Sequence, residues 1–99
     1  KVDEIHKKTI YYVQAKTQAA ILKEFMPELD ETEMSVVLRG RNAKGHHPRN
    51  VSVVTYRHAT AFEALVGYWH VTGNIERMNN MFSKIDDILG KLPAANLDS

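Results

Sequence analysis

An all-α fold is what this sequence predicts, on three observations. Apolar residues recur at three- and four-residue spacing in four separate segments. Pro27, Gly40, Gly73 and Gly90 fall where that spacing breaks. The one strand-like stretch, Val51, Val53 and Val54, has no second strand candidate to pair with, and a lone strand is not stable. Four to five helices are therefore expected.

The first segment runs from about Asp3 to Met26 and carries Ile5, Tyr12, Val13, Ala19, Leu22 and Phe25 on its apolar stripe. The stripe slips register around Gln14 to Lys16, which leaves one long helix and two abutting helices both open. Pro27 stops the segment, because proline lacks the amide that the next turn needs. Asp30 followed by Glu33 has the spacing of a capping box and starts the second helix. Met34, Val37 and Leu38 are expected to form its buried face, with Gly40 as its C-terminal stop. Arg41 to Asn50 reads as a loop, broken by Gly45 and Pro48 and nearly without apolar residues. The third helix, from about Ser52 to His70, is the most apolar stretch. Gly73 ends it, and Asn74 caps a fourth helix holding Met78, Met81, Phe82, Ile85, Ile88 and Leu89, closed by Gly90. Residues 1–90 form the expected domain and 91–99 a frayed tail.

Composition bounds the function. The 99 residues are 43% hydrophobic and 25% charged, ordinary values for one globular domain. A chain of this size buries roughly 65% of its unfolded surface, enough for a core without staples. The absence of cysteine excludes a disulfide scaffold, a thiolate zinc site and a cysteine nucleophile. No apolar run is long enough for a transmembrane span or a signal-peptide core. The first residue is Lys1 rather than Met, from which a longer parent chain is expected.

The net charge of +1 hides a segregation. Between Glu33 and Glu63 there is no Asp or Glu, while Arg39, Arg41, Lys44, Arg49 and Arg57 all lie there, so this window is +5 against −4 for the rest. Such a distribution is an electrostatic footprint for a polyanion, although a solvated basic loop has the same composition.

Glu63 stands out within the third helix. It is the only charge between Arg57 and Glu76, and its neighbours one turn away are Ala59, Thr60, Val66 and Gly67. With no cation one turn away, it must meet a distant cation, a metal ion or solvent. The small flanking residues leave room for an ion or a phosphate. A hard carboxylate for Mg²⁺ beside cations for phosphate is the layout a phosphodiester hydrolase needs.

Other candidates have plainer readings. His46 and His47 are adjacent and rarely face one ion, so phosphate contact or exposure suits them better. His58 and His70 are twelve residues apart on one helix and cannot meet. Asp86 and Asp87 fit a solvated face. Ser35, Ser52 and Ser83 have no histidine at a suggestive spacing. Tyr68 and Trp69 could stack on bases, but in so apolar a helix they more often serve the core or a subunit contact.

Several motifs together resemble one family. Leu38-Arg39-Gly40-Arg41-Asn42-Ala43-Lys44, Thr55-Tyr56-Arg57 and Thr60-Ala61-Phe62-Glu63-Ala64-Leu65-Val66-Gly67-Tyr68 closely resemble bacterial Mini-ribonuclease III. So do His6-Lys7-Lys8 and Ala15-Lys16-Thr17-Gln18-Ala19, in the same order and at similar spacing. That family is a ribonuclease III catalytic domain without the double-stranded-RNA-binding domain. The resemblance implies a ribonuclease III-like all-helical domain, a homodimer and a cytoplasmic Mg²⁺-dependent endoribonuclease acting on double-stranded or structured RNA, including ribosomal RNA precursors. It implies Glu63 as catalytic metal ligand, and places Arg39, Arg41, Asn42 and Lys44 in the RNA-facing region. Arg49 and Arg57, in the same basic window, join them as candidate RNA contacts.

This sequence departs from the family pattern twice. Larger ribonucleases III carry an aspartate where Thr60 stands, as Mini-III-type sequences tend not to. The family's first acidic motif, a Tyr-Ile-Gly-Asp-Ala-like stretch, has no counterpart in these 99 residues. Two other classes stay open on the residues alone: a non-catalytic helical RNA-binding or ribosome-associated module, and a helical dimerisation domain with an incidental basic loop. For a dimer, the third helix is the expected contact, because Ala61, Phe62, Leu65, Tyr68 and Trp69 cover more than one of its faces.

Overall fold

Proline at 27 and the capping box at 30 divide the N-terminal half of the chain into two helices, in the computed structural model as in the sequence. The structure describes residues 2–43, 51–85 and 87, with side chains from residue 14 onward. In order they form α1 (Val2–Phe25), a 3-10 turn (Met26–Glu28), α2 (Glu31–Asn42), α3 (Val53–Val71) and α4 (Ile75–Phe82). There is no strand among the described residues.

α1 is one continuous helix of 24 residues, which resolves the alternative left by the slipped stripe. No proline or glycine interrupts residues 2–25, so nothing in the backbone forces a break. Ala15, Ala19, Leu22 and Phe25 are buried at helical spacing along it. The side chains of Ile5, Tyr12 and Val13 lie outside the described ones.

α2 begins as expected. The Asp30 carboxylate accepts from the Glu33 amide at 2.8 Å, and the Glu33 carboxylate accepts from the Asp30 amide at 3.0 Å. Its buried face, however, is Glu33, Val36, Val37 and Gly40, while Met34 is half-buried and Leu38 is exposed. Of the three residues expected to face the core, only Val37 does. Gly40 does not stop the helix either, which runs on to Asn42. Both differences have one cause: α2 is turned so that Gly40 meets α3.

α3 packs against both α1 and α2 and is the centre of the fold. Ser52 caps it, its hydroxyl accepting from the Thr55 amide at 3.0 Å. The rejected strand residues divide accordingly: Val51 is buried before the cap, and Val53 and Val54 stand exposed on the first turn. Gly73 follows the helix at φ +72°, the left-handed conformation that glycine adopts without strain. Asn74 precedes α4 as expected, but its side chain makes no capping bond.

The core is built around Trp69, Phe25, Leu22, Leu65 and Met81, all fully buried. Phe25 packs obliquely on Phe62 and Trp69, with ring centroids 6.1 and 6.4 Å away, and Phe82 meets Trp69 edge-on. Trp69 is thus a core residue rather than a base-stacking one. Ala61, Phe62, Leu65 and Trp69 are all absorbed by this core, and Tyr68 is half-buried against it. The surplus apolar surface expected to carry a dimer contact on α3 is therefore used within the chain. Ile88, Leu89, Gly90 and the 91–99 tail lie outside the described residues, as does Asp86; Asp87 is exposed.

Candidate functional site

Two contacts fix α2 antiparallel to α3. At the start of α2, the Glu33 carboxylate accepts from the Trp69 indole N–H at 2.8 Å, near the end of α3. Near the other end, Gly40 lies against the middle of α3. A Cβ built on Gly40 would sit 2.9 Å from the Ala61 Cα and 3.0 Å from the Ala64 Cβ. Only a hydrogen fits there.

The crossing joins the α2 segment that carries Arg39, Arg41 and Asn42 to the α3 segment that carries Glu63. Arg39 and Arg41 flank Gly40, and Asn42 ends the helix; Arg39 and Asn42 are exposed and Arg41 is half-exposed. Ala61 and Ala64, the partners of Gly40, stand two residues before and one residue after Glu63 on α3. Glu63 is exposed, and among the described residues it makes no hydrogen bond or ion pair. A distant salt-bridge partner, one of the readings its sequence position left open, is thus absent among the described residues. Arg57 is also exposed, six residues before Glu63. In an ideal helix that separation is about 9 Å along the axis and about a third of a turn around it. Lys44 and Arg49 lie outside the described residues, as do His46 and His47. His58 is engaged locally, its ring Nδ1 2.8 Å from the Val54 carbonyl, and His70 is exposed.

Neither Arg39, Arg41 nor Arg57 is paired with a carboxylate among the described residues; the two ion pairs there are Arg77–Glu33 and Lys84–Glu28. Among the described residues nothing neutralises this basic surface, which leaves its positive potential open to a polyanion. As a metal ligand, Glu63 offers one hard, solvent-facing oxygen donor, which fits a Mg²⁺ ion that keeps much of its water. No three His, Asp or Glu side chains come together closely enough to hold a metal among the described residues. Glu63 by itself therefore does not make a metal site among the described residues.

The strongest electrostatic feature of the structure lies elsewhere, and the sequence pattern showed only its cap. Besides Asp30 and Trp69, Glu33 accepts from Arg77 twice, from Nε at 2.9 Å and from Nη2 at 2.9 Å. Arg77 Nη2 also donates to the Glu28 carbonyl. This clip ties the 3-10 turn, α2, α3 and α4 together around a carboxylate only 1% exposed. The Arg77 guanidinium, more than any other group, holds the Glu33 carboxyl down at about 2, against burial, which pushes it up; the Asp30 amide and the Trp69 indole help. Arg77 is raised in turn, chiefly by its bonds to Glu33. A glutamate at a capping-box position signals a helix start, and nothing in its spacing points to an arginine 44 residues away. The network is structural, since all its acceptor capacity is used internally.

Residues 1–74 match the Ribonuclease III domain family. The chain is 56% identical over 91 residues to the Mini-ribonuclease 3 of Desulfitobacterium hafniense, covering 92% of this chain and 58% of that protein. It is 51% identical over 79 residues to the Mini-ribonuclease 3 of Brevibacillus brevis, covering 79% of this chain and 59% of that protein. Against that of Symbiobacterium thermophilum it is 44% identical over 90 residues, covering 90% and 69%. The chain thus spans about three-fifths of the length of the first two relatives. No described helix is long and apolar enough to cross a membrane.

Proposed function

Because this chain belongs to the Mini-ribonuclease 3 family of ribonuclease III domains, we propose that the intact protein is a Mg²⁺-dependent endoribonuclease of double-stranded or structured RNA. The observation that carries the reading is the Gly40 crossing, which sets Arg39 and Arg41 beside the α3 segment of Glu63, all three unpaired among the described residues.

Each part has a chemical task. Arg39, Arg41 and Arg57 contact backbone phosphates, with Lys44 and Arg49 proposed to extend the same basic surface. Asn42 can donate to a phosphate or a 2′-hydroxyl. A surface of this kind suits A-form RNA, which is read by shape, phosphates and 2′-hydroxyls rather than by base edges. Glu63 is the catalytic residue, holding Mg²⁺ through its carboxylate. Bound there, the ion would neutralise charge on the scissile phosphate and lower the pKa of the attacking water. Ribosomal RNA precursors are the proposed substrates, and the cytoplasm the proposed compartment.

A long RNA duplex incubated with the intact protein should be cut when Mg²⁺ is present and stay whole in EDTA. RNA bound with Mg²⁺ but never cut would favour a non-catalytic RNA-binding module instead. A homodimer is proposed with the enzyme, because a two-fold pair presents one carboxylate site to each strand of a duplex. Sedimentation equilibrium of the intact protein should give twice the chain mass; a clean monomer mass would remove the dimer.

A further inference from the structure

Gly40 has a cost and a use that the fold alone does not require at that position. A glycine within a helix is destabilising by about 1 kcal/mol relative to alanine. It is kept here at a place where α2 already has a second attachment, the Glu33–Trp69 bond seven residues earlier. What Gly40 adds is closeness. The nearest atoms to its missing side chain include a backbone carbon, Ala61 Cα at 2.9 Å, and the backbone carbonyl of Thr60 at 3.5 Å. A backbone atom cannot rotate aside as a flexible side chain can. Any residue larger than glycine must therefore lift this end of α2 away from α3.

The residues at that end are the ones the proposed reaction needs. Arg39 and Arg41 adjoin Gly40 in sequence, and Ala64 adjoins Glu63. We propose that Gly40 is a positioning residue: its contact with Ala61 and Ala64 sets the spacing between the phosphate-binding arginines of α2 and the Glu63 carboxylate of α3. The inference rests on the ribonuclease reading and specifies how its two halves are held in register. Reactions that depend on placing a bound phosphate lose rate steeply with misplacement, on the order of 10²-fold for 1 Å.

The test is steady-state cleavage of an RNA duplex by the intact protein carrying Gly40→Ala. The shift needed is a few tenths of an ångström or more, so kcat should fall about tenfold. KM should stay within about twofold, because the arginines still meet phosphates. The salt dependence of duplex binding should keep its slope, because the number of phosphate contacts is unchanged. A merely structural role would lower the melting temperature without this split. Adding Ala64→Gly to Gly40→Ala removes one of the two close atoms and should recover part of the lost rate. If Gly40→Ala does not fold, Ala64→Ser intrudes on the same crossing from α3 and should show the same selective loss of kcat. A folded Gly40→Ala protein with wild-type kcat would overturn the inference, as would a loss confined to KM or a double variant with no recovery. A wild-type protein that leaves the duplex whole removes the ribonuclease reading and this inference with it. A wild type that cuts, beside a Gly40→Ala that cuts equally well, removes the inference alone.

Discussion

Replacing Arg77 with methionine should destabilise the fold by about 3 kcal/mol at neutral pH. Breaking a buried ion pair from one side costs about 3–5 kcal/mol because the other charge is left uncompensated. The lower end applies because the Arg77 side chain is 29% exposed while that of Glu33 is 2% exposed. For a domain of this size the melting temperature should fall by about 12–24 °C. The loss should also depend on pH in a defined direction. A carboxylate held below its unfolded value stabilises the fold fully above that value and ceases to do so as pH falls through the folded one. For Glu33 those values are 4.5 and about 2. The contribution of Glu33 to wild-type stability should therefore be complete at pH 6 and be lost between about pH 4.5 and 2, so the gap to Arg77→Met should narrow across that range. Thermal melts of both proteins across this range check it. Equal melting temperatures at pH 6 would show that the clip contributes nothing, and a gap unchanged at pH 2 would show that the Glu33 charge is not its source.

Much of the architecture was legible because its signals are local. Pro27, the Asp30–Glu33 capping box, Ser52 and Gly73 each act through the backbone of their own turn, so their positions in the sequence are their positions in the structure. Trp69 was legible as core because an indole within so apolar a helix has little other place to go. The failures are long-range. Gly40 looked like a helix stop because glycine often is one, and only the path of α3 shows that it serves a close approach instead. The orientation of α2 followed from that contact, which is why Leu38 and Met34 read as core from their hydrophobicity while Glu33 did not. A buried carboxylate is written in sequence only through its partners, and the two side chains that hold Glu33 across the fold, Trp69 and Arg77, lie 36 and 44 residues away.

The candidate site was legible in a different way. A gap in acidic residues marked the basic window, and a carboxylate without a cation one turn away marked Glu63, both from charge alone. What charge could not give is that Arg39 and Arg41 and the Glu63 segment share one helix crossing, a relation that depends on two small side chains and a glycine meeting at 2.9 to 3.0 Å.

The central claim, that Glu63 holds the metal ion for RNA cleavage, is tested most directly by Glu63→Gln in the intact protein. Glutamine keeps the size and polarity of the side chain and removes the charge. Glu63 is exposed and makes no hydrogen bond or ion pair among the described residues, so the far-ultraviolet circular dichroism and melting temperature should stay at wild-type values. Surface substitutions of this kind change stability by less than about 0.5 kcal/mol. Cleavage of an RNA duplex at saturating Mg²⁺ should fall by about 10³-fold or more, the scale on which removing charge stabilisation at a reacting centre acts. Duplex binding should persist, because the arginines are untouched. Cleavage should be lost with fold and binding intact; cleavage retained at the wild-type rate would rule Glu63 out as the metal ligand.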